Sequence, residues 1–197
     1  MSPIRIGVIG AGIFVRETYI PNIEDNSNLV KLTAIVSKSF ESIEEVSKLL
    51  KNQDTDFRRF AGADGEDQFF LEASDICDAV IIAVPIPLLG HYIERCISLN
   101  LHILSEKPVA MTSVYAQRLI SKYHENLRPG KPLWHVAENY RLEPAVQYAS
   151  ELVRRHSMAP KTFTLTVLRQ QSATSKFAVT SWRKEPEYNG SVVFDGN

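Results

Sequence analysis

Ile4-Arg5-Ile6-Gly7-Val8-Ile9-Gly10-Ala11-Gly12 opens the chain with a short β-branched run that stops at two glycines one residue apart. Branched side chains suit a pleated strand, and glycine permits the tight turn that lets a strand feed a helix. Ile13 to about Asp25 has room for that helix. In this context Gly10 permits the turn and Gly12 lets a pyrophosphate approach the backbone. Ile13 and Phe14 then begin a helix whose unpaired N–H groups and positive dipole end favour that anion. The third position of the dinucleotide pattern holds Val15 in place of Gly or Ala. Such a departure predicts a helix pushed slightly off the strand, or a branched side chain absorbed by smaller neighbours.

Strand and helix patterns continue to alternate. Leu32 to Val36 reads as a second strand, and Phe40, Ile43, Val46, Leu49 and Leu50 recur at helical spacing behind Ser39, a plausible N-cap. Asp78 to Val84 reads as a strand apolar on both faces, as a strand in a covered parallel sheet should be. The helix after it carries Leu88, Leu89, Tyr92, Ile93, Cys96 and Ile97 on one stripe, with Asn100 placed to end it. Leu101 to Leu104 is a further strand. Thr112 or Ser113 then caps a helix bearing Ala116, Leu119, Ile120 and Tyr123, and Leu133 to Ala137 closes the series. The segment from Asn52 to Gln68, with its acids and glycines, reads as an exposed loop region. The alternation predicts an α/β, Rossmann-type doubly wound parallel sheet over residues 1–138. Past about residue 140 a helix from Pro144 to His156 precedes Thr162 to Leu168, which alternates with period two. That pattern predicts the beginning of an α+β domain with a mainly antiparallel sheet over 139–197.

Composition narrows the classes of function. The 197 residues are 44% hydrophobic and 23% charged, with net charge −1, which offers no electrostatic reason to expect nucleic acid or an anionic membrane as partner. The longest apolar runs are too short to span a bilayer, and the N-terminus reads as a strand rather than a signal peptide. Cys77 and Cys96 sit among apolar neighbours without CxxC spacing, which predicts buried free thiols in a reducing, cytoplasmic setting. His102, His124, His135 and His156 match no ligand spacing, so no metal is implied.

The end of the second strand bears on which dinucleotide would bind. NAD enzymes commonly carry an acid there for the ribose 2′-hydroxyl. Here Val36-Ser37-Lys38-Ser39 has none. Two hydroxyls and an ammonium suit a 2′-phosphate, so NADP is favoured over NAD. The competing reading is a capped loop with a solvated lysine.

Taken in order, Gly7-Val8-Ile9-Gly10-Ala11-Gly12, Ala83-Val84-Pro85, His91, Glu106-Lys107-Pro108 and Ala137-Glu138-Asn139-Tyr140-Arg141 resemble the Gfo/Idh/MocA family of NAD(P)-dependent oxidoreductases. Thr180 to Glu187 looks most like its fungal members. The resemblance covers the whole chain, and Glu-Lys-Pro is its most specific motif. It implies hydride transfer between the nicotinamide and a carbonyl or alcohol of a sugar, polyol or similar small molecule. Lys107 matches the family's active-site lysine, which hydrogen-bonds the reacting oxygen and stabilises charge developing there. Pro108 aims it, and Glu106 faces the cofactor ribose or holds Lys107 in place. Val84 and Pro85 would lie along the cofactor, with Asn139 and Arg141 on the substrate side. Trp182 and Arg183 would approach the nicotinamide or substrate, with core packing and a rim ion pair as the competing readings. His91 joins the cofactor-side set, against a reading as a packed helix residue.

Asp195 fits the first member of a family Asp–His acid/base pair whose histidine would fall at position 199. The expectation is a chain truncated within its second domain, whose full-length form could self-associate through the C-terminal sheet. A non-catalytic NADP-sensing regulator and a truncated inactive homologue are the alternatives. A retained Lys107 argues against the regulator.

Overall fold

The computed structural model describes residues 2–51, 56–126 and 132–156, with 162, 164 and 166 as isolated positions. β1 (Ile4–Ile9), β2 (Val30–Ser37), β3 (Arg58–Ala61), β4 (Ala79–Ile82), β5 (His102–Ser105) and β6 (Trp134–Val136) form one sheet. Their spatial order is β3-β2-β1-β4-β5-β6, and every neighbouring pair is parallel. The chain runs outward from β1 to β3, crosses back, and runs outward again from β4 to β6. The strand order therefore reverses between β1 and β4, the place where a doubly wound sheet opens a ligand crevice beyond its strand ends.

One face of the sheet is covered by the helix that follows β1, which ends as α1 (Ile20–Asp25), and by α2 (Phe40–Ser47). The other is covered by α3 (Gly62–Ile76), α4 (Ile86–Ser98) and α5 (Ser113–Glu125). Ile81 packs toward Ile20, Ile43 and Val46, whereas its neighbours Val80 and Ile82 pack toward Phe69, Leu89 and Ile93. Burial on both faces explains why this strand shows no polar alternation. Ser39 caps α2 by accepting the Ser42 N–H at 3.4 Å, and Thr112 caps α5 by accepting the Tyr115 N–H at 3.2 Å. Asn100 follows α4 with φ +55°, the left-handed backbone that ends helices. Cys77 and Cys96 are free and buried, and burial pushes both thiols up. Among the described residues no helix is long and apolar enough to cross a membrane.

Two expectations need correction. The segment read as an exposed loop region contains β3 and the start of α3. β3 is an edge strand, so its arginines escape burial: the Arg58 guanidinium lies over Phe60 and that of Arg59 over Phe57. Gly65 reads as a loop marker but serves close packing, since a Cβ there would sit 3.0 Å from the Phe60 carbonyl carbon. Leu88, assigned to the buried stripe of α4, is 48% exposed; the stripe instead begins at Ile86 and continues through Leu89 and Ile93.

A buried side-chain bond latches β6 to β5. The Trp134 indole N–H donates to Ser105 Oγ at 3.0 Å, and Ser105 is fully buried. Trp134→Phe should therefore destabilise the fold by about 1–2 kcal/mol, because a buried hydroxyl loses its donor while most of the ring packing stays. Urea unfolding followed by circular dichroism would measure it, and an unchanged midpoint would remove the latch.

Candidate functional site

The site forms where β1, β4 and β5 end side by side. At Gly10 the backbone takes φ +113°, a conformation costly for any residue with a Cβ. A Cβ there would also lie 2.2 Å from the Ala83 carbonyl oxygen at the end of β4. The strands are tied across this point: Gly10 N–H donates to Val36 O at 2.8 Å and Ala83 N–H donates to Ile9 O at 2.9 Å. Gly12 differs, since a Cβ there would meet nothing within 4 Å. Gly12 is exposed, and Ile13 and Phe14 behind it are half-buried at the start of the helix. Open space over a glycine at a helix N-terminus fits a pyrophosphate, which would be held by backbone N–H groups and the helix dipole.

Val15 is fully buried in the core cluster that also holds Ala11, Val8 and Ile20, so the branched side chain is taken into the core. The helix accommodates it with a π turn over Val15–Tyr19, closed by Ile20 N–H donating to Val15 O. Inserting a residue in this way shifts the helix face and is often found at functional sites.

Tyr19, at the end of that turn, was not singled out from the sequence. Its hydroxyl donates to Glu106 Oε1 at 2.6 Å, and its ring meets Phe14 edge to face with centroids 5.5 Å apart. Burial, reinforced by the Glu106 charge, pushes the phenol up and keeps it a proton donor. Glu106 follows β5 directly, its N–H donating to Ile82 O at 2.9 Å, and its Oε2 accepts the Lys107 N–H at 3.3 Å. Of the two roles open to Glu106, contact with the Lys107 turn is observed. The Lys107–Pro108 peptide is cis, and both residues are half-buried. The glycine turn and Glu106-Lys107-Pro108, nearly a hundred residues apart in the chain, thus share one edge of the sheet.

The remaining candidates lie around this centre. Val84 and Pro85 lead from β4 into α4, Pro85 as its N-cap residue. Ser37 ends β2, and its Oγ lies 2.6 Å from Ser42 Oγ, so both Ser37 and Ser39 join the cap of α2 while Lys38 is exposed. His91 turns toward α3, where its Nε2 lies 3.7 Å from Glu66 Oε1. Glu66 is already held by the Tyr92 hydroxyl and Arg95, both at 2.7 Å. Asn139 and Arg141 are exposed in a short 3-10 turn (Asn139–Leu142) that leads into α6 (Pro144–Arg155). Trp182, Arg183 and Asp195 lie outside the described residues, as does most of the strand expected over Thr162 to Leu168. Among the described residues no three His, Cys, Asp or Glu side chains converge as a metal site would require.

Comparison with known proteins agrees with this fold. The family model for Gfo/Idh/MocA, an oxidoreductase family with an NAD-binding Rossmann fold, matches residues 4–128. A dehydrogenase (FPY6) of Fusarium mangiferae is 30% identical over 192 residues, covering 98% of this chain and 54% of its own length. A D-xylose 1-dehydrogenase [NADP(+)] of Haloarcula marismortui is 29% identical over 152 residues, covering 77% of this chain and 39% of its own. Among solved structures, an oxidoreductase of Thermotoga maritima aligns with TM-score 0.75 at 24% identity over 98% of this chain and 56% of its own, a likeness of fold. The chain spans about half the length of the curated relatives that match it throughout.

Proposed function

Because this chain belongs to the Gfo/Idh/MocA oxidoreductase family, we propose that it is the cofactor-binding part of an NADP(H)-dependent oxidoreductase acting on a carbonyl or alcohol of a sugar, polyol or similar small molecule. One observation carries the reading: Glu106-Lys107-Pro108 and the glycine turn meet on the sheet edge where the strand order reverses, joined through Tyr19. Residues 1–138 would be the dinucleotide-binding domain and 139–197 part of the substrate-binding domain.

The nicotinamide, when bound, supplies the two-electron chemistry. Gly12, Ile13 and Phe14 bind the pyrophosphate through backbone N–H groups. Val84 and Pro85 line the path from β4 and exclude water from it. Lys107 directs its ammonium at the substrate oxygen and stabilises negative charge as it develops there. Asn139 and Arg141 hold the substrate's far side, and the family resemblance would bring Trp182 and Arg183 to the same centre. The same resemblance would give Asp195 the role of orienting a proton-transferring partner. His91 has the weakest support in this group, because its side chain meets Glu66.

Support for NADP comes from this chain's own residues. Lys38 is exposed at the end of β2, beside the capped N-terminus of α2 and the hydroxyls of Ser37 and Ser39. A dianionic 2′-phosphate there would gain a charge-assisted contact and a helix dipole, and no carboxylate stands at residues 37–39 to repel it. The xylose dehydrogenase whose name includes NADP(+) points the same way. Titration by nucleotide fluorescence should give NADPH at least about tenfold tighter than NADH, and Lys38→Glu should reverse the order. Equal affinities for the two nucleotides would remove the 2′-phosphate site. Activity is tested by following NADPH absorbance against a panel of aldoses, ketoses and polyols.

A further inference from the structure

The carboxylate of Glu106 is constrained from two sides. Its main chain is fixed to β4 by the bond to Ile82 O, so only the side chain remains to be aimed. Oε1 accepts the Tyr19 hydroxyl and Oε2 accepts the Lys107 N–H, which defines both the direction and the plane of the group. Of these donors, Lys107 N–H is local and comes from the turn itself. Tyr19 comes from 87 residues away, on the helix that begins at the glycine turn. Its ring is set in turn by Phe14, and the π turn places it at the strand ends while Val15 and Ile20 on either side remain in the core. A helix of regular period would have to give up one of these placements, since an inserted residue changes the phase by about one-quarter turn.

We infer that Tyr19 is a positioning residue: its hydroxyl holds the Glu106 carboxylate, and through that carboxylate it sets the turn that carries Lys107. The inference rests on the role proposed above for Lys107. Tyr19 touches neither substrate nor cofactor in this scheme. Its burial next to the Glu106 charge favours the protonated phenol, so the clamp keeps its proton across the range in which such enzymes are assayed. Through Phe14 the same side chain packs against a residue at the pyrophosphate-binding turn, so filling one half of the site would steady the other.

Tyr19→Phe removes the hydroxyl and keeps the ring. It should lower kcat about tenfold while the KM for NADPH stays within about twofold, since one hydrogen bond to a charged group is lost away from the nucleotide. In a Glu106→Ala background, which leaves the Tyr19 hydroxyl without this acceptor, the same change should cost nothing further, because its effect passes through the carboxylate. An arm without substrate uses amide hydrogen exchange: Lys107 N–H should exchange about tenfold faster in Tyr19→Phe, with the β1 amide of Val8 unchanged. Multiplicative losses in the double variant, or a Lys107 amide that exchanges as in the parent, would overturn the inference, as would equal acceleration at Val8 and Lys107. If the parent turns over no substrate, the proposed activity fails while the exchange arm still decides whether Tyr19 governs the turn.

Discussion

Lys107→Ala is expected to lower turnover by about a hundredfold or more while NADPH binds within about threefold of the parent affinity. The two halves of that expectation come from different parts of the structure. On the proposed reading, nucleotide affinity would come from the turn after β1 and the residues at the end of β2, which belong to other strands than the lysine. On the same reading, turnover would depend on the charge presented at the end of β5, where Lys107 stands half-buried beside Glu106. In such a partly desolvated place a cation stabilises a developing oxyanion far more than it would in water. Lys107→Met separates charge from bulk: it keeps the apolar stem and should lose as much activity as Ala. Lys107→Arg keeps the charge but changes its shape and reach, so it should recover only part of the rate. Steady-state rates set beside fluorescence titrations would check all three, and an active Met variant would exclude the ammonium from the mechanism.

Much of the centre was legible because its residues answer backbone demands. Gly10 has φ +113° and no room for a Cβ, so its identity and its place after a β-branched run announce the turn. Glu106-Lys107-Pro108 was legible as a charged pair and a proline directly after a short apolar strand. β3 was not, because an edge strand can carry two arginines whose charges stay in solvent while their planes cover Phe57 and Phe60. The start of α3 was hidden by Gly65, used there for close approach to β3 rather than for a turn. Tyr19 was hidden twice: its partner is remote in sequence, and the π turn breaks the period from which its direction might have been read. For His91, helical spacing gave a position on α4, but only the neighbouring helix shows that it faces Glu66.

The two glycines of the turn should respond differently to the same methyl group. Gly10→Ala is expected to destabilise the fold by about 3–5 kcal/mol, a large part of the total stability of an ordinary domain. Two penalties combine. A φ of +113° is strained for an L side chain, and the new Cβ would stand 2.2 Å from the Ala83 carbonyl oxygen and 3.0 Å from its carbon. Neither partner can easily withdraw, because Gly10 N–H is bonded to Val36 O and Ala83 N–H to Ile9 O, which ties β2, β1 and β4 together at this level. Relief would mean parting the central strands of the sheet. Gly12→Ala meets no atom within 4 Å and has no positive φ to strain, so its unfolding midpoint should stay close to that of the parent. Its methyl would instead occupy the space over the helix N-terminus, and NADPH affinity should fall about tenfold or more as the pyrophosphate is pushed off the N–H groups. Chemical unfolding and nucleotide titration of the two variants therefore separate the glycine that shapes the sheet from the one that admits the ligand. A Gly12→Ala protein that binds NADPH like the parent would move the pyrophosphate away from this turn, and a Gly10→Ala protein as stable as the parent would mean the strands can part at little cost.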